Sequence, residues 1–126
     1  MPRPTQVLSV VDDLFFVVKI NDAARRAGLT PLPAKSAAEI IEKARVEKPV
    51  MVIVDLNAGS VNAVELITVL KQAPEMKGVS IIGFVSHIQG DLKQQAQLAG
   101  ASMVMARSAF STNLPQILRR HASSSY

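Results

Sequence analysis

The chain has 126 residues, of which 48% are hydrophobic and 19% charged, with a formal net charge of +4 and no cysteine. That length and balance suit one soluble globular domain with a proper core, and they argue against a disordered chain. The missing cysteines exclude disulfides, thiolate metal sites and a cysteine nucleophile, and no run approaches the roughly 20 apolar residues that span a bilayer.

MPRPTQ, at the start, is too polar and too rich in proline for a signal peptide, so a cytoplasmic location is expected. VLSVV (7–11) follows, short and β-branched like a buried strand. Asp12 and Asp13 end it. Leu14, Val17, Val18, Asn21, Ala24 and Ala27 then recur at helical spacing, and Gly28 stops the pattern. LTPLPAK is a weak strand spoiled by prolines and belongs at a sheet edge. Ser36 and Glu39 have capping-box spacing and open a helix through Ile40, Ile41 and Ala44.

VMVIV (50–54) is apolar on both faces, as a central parallel strand covered on each side should be. After the polar loop NAGSVN comes a helix at Val64, Ile67 and Leu70, broken by Pro74 and Gly78. VSIIGFV (79–85) is another buried strand, DLKQQAQLAG (91–100) a polar helix closed by Gly100, and SMVMA (102–106) the last strand. Leu114, Ile117 and Leu118 mark a final helix with Pro115 in its first turn. The segment from His121 is expected to fray, with 122–126 a disordered tail. Lysines such as Lys19, Lys35, Lys43, Lys71 and Lys93 are dispersed and the one tyrosine is the last residue, so no nucleic-acid platform is visible.

Strand and helix thus alternate five times in a single domain, which implies an open α/β sheet of parallel strands wound on both sides. Ligands of such sheets bind beyond the carboxyl ends of the strands, near the point where strand order reverses. Asp12 and Asp13 end the first strand, Asp55 the third, Ser86 the fourth and Arg107 the fifth. Three of the five aspartates therefore gather at one end of the sheet. Without a counter-charge they would repel and raise one another's pKa. They cap the following helix or they hold a cation, and capping suffices for one aspartate but hardly for all three. A hard divalent ion such as Mg²⁺ suits an all-oxygen donor set.

In this order the segments VVDD, VIVDLN and AGAS resemble the receiver domain of bacterial two-component response regulators, a flavodoxin-like (βα)5 fold, over residues 6 to about 121. The resemblance implies that Asp55 accepts a phosphoryl group from a histidine kinase or phosphotransfer protein. It implies direct Mg²⁺ ligation by Asp13, ligation through water by Asp12 and a backbone carbonyl ligand from Asn57, with Asp55 also at the metal. Ser86 stands at the position whose hydroxyl bonds a phosphoryl oxygen. Output would pass to a downstream protein through the face from the fourth helix (Asp91 to Gly100) to the fifth (Ser111 to Arg120). A monomer or weak dimer without nucleic-acid or membrane partners is expected, and no enzymatic activity beyond self-catalysed phosphotransfer and autodephosphorylation.

The chain departs from that pattern at several points. Arg107 replaces the family's lysine and is longer, planar and forked. Ser108 replaces a proline, so the cis peptide of the family is expected to be lost. Val104 stands where the family has its switch aromatic. His87 and Leu14 belong to the pocket rim, where the bulk of His87 would screen a phosphoaspartate from water. Phe15 and Phe16 are adjacent and cannot both face the core of one helix. The competing reading is a pseudo-receiver that acts as an interaction module without phosphorylation. A small cofactor-binding flavodoxin-like protein is weaker, because no Gly-rich phosphate loop follows any strand.

Overall fold

The computed structural model of the chain describes residues 5–46, 48–59, 61–86 and 90–124. In order they form β1 (Gln6–Val10), α1 (Leu14–Arg26), β2 (Thr30–Ala34), α2 (Ala37–Val46), β3 (Met51–Asp55), α3 (Ala63–Gln72), a 3-10 turn (Pro74–Met76), β4 (Ser80–Val85), α4 (Gly90–Ala99), β5 (Met103–Ala106) and α5 (Arg107–Ser124). The strands make one sheet in the order β2-β1-β3-β4-β5, with every pairing parallel. Strand order reverses between β1 and β3. The acidic ends of those two strands therefore flank the switch point.

Alternating strand residues feed two cores. Val7, Met51, Ile53, Ile82 and Phe84 pack with Phe16, Ile20 and Ala24 of α1 and with Phe110, Leu114 and Leu118 of α5. Leu8, Val10, Val52, Val54, Ile81 and Val104 pack on the other face with residues of α2, α3 and α4. All five residues of β3 are buried, as a strand covered on both sides requires. Among the described residues no helix is long and apolar enough to cross a membrane.

Local chemistry explains most element ends. Gly28 takes φ +79°, where a side chain would be strained, and the Leu29 amide donates to the Ala24 carbonyl at 2.9 Å to close α1. At the start of α2 the Ser36 hydroxyl accepts from the Glu39 amide, while the Glu39 carboxylate accepts from the Lys35 amide, both at 3.1 Å. The capping box thus forms, with its return bond one residue earlier than the usual pattern. Asn62 caps α3 by accepting from the Glu65 amide at 3.1 Å. Asn62→Ala is expected to lower the unfolding free energy by about 1 kcal/mol, read from urea denaturation.

Two expectations are corrected. The last helix begins directly after β5, at Arg107, so Pro115 lies in its interior and not in its first turn. Proline there offers no N–H to the Ser111 carbonyl, and it is accommodated at an exposed position. No turn residues separate β5 from α5, which hid the start of the helix in the sequence. The helix also runs on through Ser124, past the point where fraying was expected, with the His121 ring 2.8 Å from the Ile117 carbonyl and Ala122 packed partly on the core.

β2 lies at the edge, as its prolines demand. The Thr30 amide donates to the Thr5 carbonyl at 2.8 Å and fixes the alternation along the strand. Positions 30, 32 and 34 turn their backbone groups toward β1, and Pro31 and Pro33 turn theirs outward, where no donor is needed.

Candidate functional site

The carboxyl end of the sheet brings together Asp12, Asp13, Asp55, Asn57, Ser86 and Arg107. Asp13 is the N-cap of α1: Oδ1 accepts from the amide of Phe15 at 2.9 Å and, at the longer distance of 3.4 Å, from that of Phe16. Its Oδ2 accepts from Nη2 of Arg107 at 2.5 Å. Asp12 turns the other way and accepts from the Gly59 amide at 2.6 Å, tying the β1–α1 turn to the β3–α3 loop. Asp55 is 7% exposed and, with Ser9, one of two buried polar residues among those described. It accepts from the Asn57 amide at 2.9 Å and from the amide of Asp12.

Both readings of the aspartate pair have a counterpart within the chain. Asp13 caps the helix and also meets a cation, and that cation is a guanidinium. Burial pushes the Asp55 carboxyl above its ordinary range. The Asp12 charge adds to that rise, as mutual repulsion implies, but is not its main cause. The Arg107 hydrogen bond holds the Asp13 carboxyl below its own, against some desolvation and with help from the Phe15 and Phe16 amides.

Arg107 is held from two sides. Beyond Asp13, its guanidinium carbon sits 4.6 Å from the centre of the Phe16 ring, a cation–π distance. Phe16 is buried against Phe84 at 4.9 Å and Phe110 at 5.9 Å, while Phe84 and Phe110 stack at 5.0 Å. Phe15 is 90% exposed, so the adjacent phenylalanines divide between core and solvent as their spacing requires.

Asn57 enters through its side chain as well as its backbone. Its Oδ1 accepts from both the amide and the hydroxyl of Ser86, each at 2.8 Å. Sequence alone does not disclose that link, the Gly59 contact of Asp12 or the phenylalanine bed of Arg107. Asn57, two residues after Asp55, is the one hint of the first. Val104 is buried in the core of the α2–α4 face, opposite Gly83 of β4, on the other side of the sheet from Phe16. Leu14 is exposed at the first position of α1, and Ser108 is exposed in the first turn of α5. No cis peptide bond occurs among the described residues. His87 lies outside them.

The donor chemistry fits a hard divalent cation, since carboxylates and a backbone carbonyl are oxygen ligands and Mg²⁺ is usually held by only one or two carboxylates. Among the described residues no three carboxylate or imidazole side chains form a ready-made metal cage. Each oxygen of Asp13 already accepts a hydrogen bond, Oδ1 from the Phe15 amide and Oδ2 from Arg107.

No protein-family model matches the chain, and comparison with curated proteins finds no match. Solved structures do resemble it. A response regulator from Thermotoga maritima superimposes with a TM-score of 0.78 at 20% identity, covering 95% of this chain and 98% of that one. The chemotaxis response regulator CheY4 of Vibrio cholerae gives 0.80 at 19% identity, covering 94% and 98%. A response regulator protein from Burkholderia pseudomallei, solved with a phosphorylated aspartic acid, a calcium ion and citrate, gives 0.78 at 22% identity, covering 95% and 69%. Over nearly its whole length the chain has the CheY-like receiver fold of the response regulators, a flavodoxin-like sheet of five parallel strands alternating with five helices.

Proposed function

We propose that the protein is a receiver that takes a phosphoryl group on Asp55 from a phosphohistidine and signals by binding a further protein. The observation that carries this reading is the placement of Asp55. It is a buried carboxylate at the end of the central strand, beside the switch point, oriented by two backbone amides.

Burial strips water from the carboxylate and leaves its lone pairs available to an incoming phosphorus. An Asp55 oxygen forms the new O–P bond as the N–P bond of the donor breaks, and the departing imidazole takes up a proton from solvent. Asp13, Asp55 and the Asn57 carbonyl are the groups that would hold Mg²⁺, with Asp12 reaching it through water. A bound divalent ion offsets charge on the phosphoryl oxygens. The Ser86 hydroxyl donates to Asn57, and it would donate instead to a phosphoryl oxygen on Asp55. The donor is a histidine kinase or phosphotransfer protein, and output runs through protein contacts.

The test is intact mass after incubation with a small-molecule phosphodonor and Mg²⁺. The wild-type chain is expected to gain the mass of one phosphoryl group, and Asp55→Asn none. A wild-type chain that stays unmodified removes the phosphoacceptor reading and leaves the interaction module. Equal modification of both proteins places the acceptor elsewhere.

A further inference from the structure

We propose that Arg107 is a tethered cation that competes with divalent metal for Asp13, so that metal enters the acidic site only as the guanidinium leaves it. This rests on the metal-assisted receiver reading above and adds to it a residue that sets metal affinity.

Three observations carry the inference. Asp13 has no idle oxygen: the cap of α1 takes Oδ1 and Arg107 takes Oδ2. A metal drawing on Oδ2 would set two positive centres on one oxygen, and their repulsion favours one occupant at a time. The guanidinium is also preplaced. Its position over Phe16, itself locked by Phe84 and Phe110, removes much of the rotamer freedom that an ion pair normally costs. Finally, Arg107 is the first residue of α5, and no acidic residue stands in that helix's first turn. A cation at a helix N-terminus opposes the helix dipole. Its place is therefore set by what it touches across the site, Asp13 and Phe16, and not by the needs of its own helix.

Asp13 binds the guanidinium directly, and Asp55 also feels its charge. Removing the charge while keeping an apolar stem over Phe16 should free Asp13 without disturbing the core, which makes Arg107→Met the informative variant. Arg107→Lys keeps a charge on a shorter, unforked side chain.

Mn²⁺ serves as the probe, titrated into the 126-residue chain while the free ion is followed by electron paramagnetic resonance. Arg107→Met is expected to bind Mn²⁺ about five- to tenfold more tightly than wild type. Adding Asp13→Asn to that variant should erase the gain. In parallel, saturating Mg²⁺ should shift the guanidinium nitrogen resonances of Arg107 in the wild-type protein and leave those of Arg120 in place. Thermal melts check that each variant is folded. Equal affinity in wild type and Arg107→Met, or Arg107 resonances that ignore Mg²⁺, overturns the competition while leaving the receiver reading standing. Absence of Mn²⁺ binding in both proteins overturns the metal-assisted reading and the competition together.

Discussion

Phe84→Ala is expected to lower the unfolding free energy by about 3–5 kcal/mol, a large part of what holds a domain of this size together. Phe84 is 1% exposed on β4, faces Asp55 across the β3–β4 ladder, and touches the rings of both Phe16 and Phe110. Truncation leaves a cavity between two aromatic rings that belong to different helices, and neither helix can close it without leaving the sheet. The stacked geometry with Phe110 adds to what area alone supplies. Urea denaturation followed by circular dichroism measures the change, and a loss below about 1 kcal/mol would show that the three rings are not a cooperative cluster. The same variant loosens the bed of Arg107, so its guanidinium signals should broaden even where the protein stays folded.

Asp55→Asn should make the metal-free protein more stable at neutral pH, by roughly 1–2 kcal/mol. Burial raises the Asp55 pKa in the folded state, so folding favours the protonated acid. Ionised Asp55 therefore subtracts from stability at pH above its raised folded value, and the penalty is relieved as pH falls through that value toward the ordinary one. Asparagine keeps an acceptor for the Asn57 amide without the charge. The difference in urea midpoint between variant and wild type, with metal chelated, should be largest near pH 7 and shrink toward pH 4. Taking the difference cancels the titration of groups common to both proteins, Asp13 and Glu39 included. A variant less stable than wild type at pH 7 would mean that the neighbours of Asp55 more than compensate its desolvation.

The alternation of buried strands and amphipathic helices is legible because each element carries its own period, and VMVIV can only be a strand covered on both sides. The strand-end positions of Asp12, Asp13, Asp55, Ser86 and Arg107 follow from the winding. Which partner each chooses does not, because that depends on loop geometry a residue or two beyond the strands. Asp12 and Asp13 are adjacent and chemically identical, yet one turns to Gly59 and the other to Arg107. Their charge alone calls for a cation, and charge cannot distinguish a metal from a side chain of opposite sign. The start of α5 is hidden for a related reason: Met-Ala-Arg-Ser contains no Gly, Pro or Asn to mark a boundary, and the change from strand to helix comes without a loop.

The outward-facing prolines of β2 have a consequence for the molecule among its neighbours. A strand from another chain that approached this flank would find carbonyls at positions 31 and 33 and nothing to give them a hydrogen in return. Half of the bonds that drive fibre-like stacking are thereby withheld at the outset. Replacing those two residues with valine would restore the missing donors and turn a blunt flank into a sticky one.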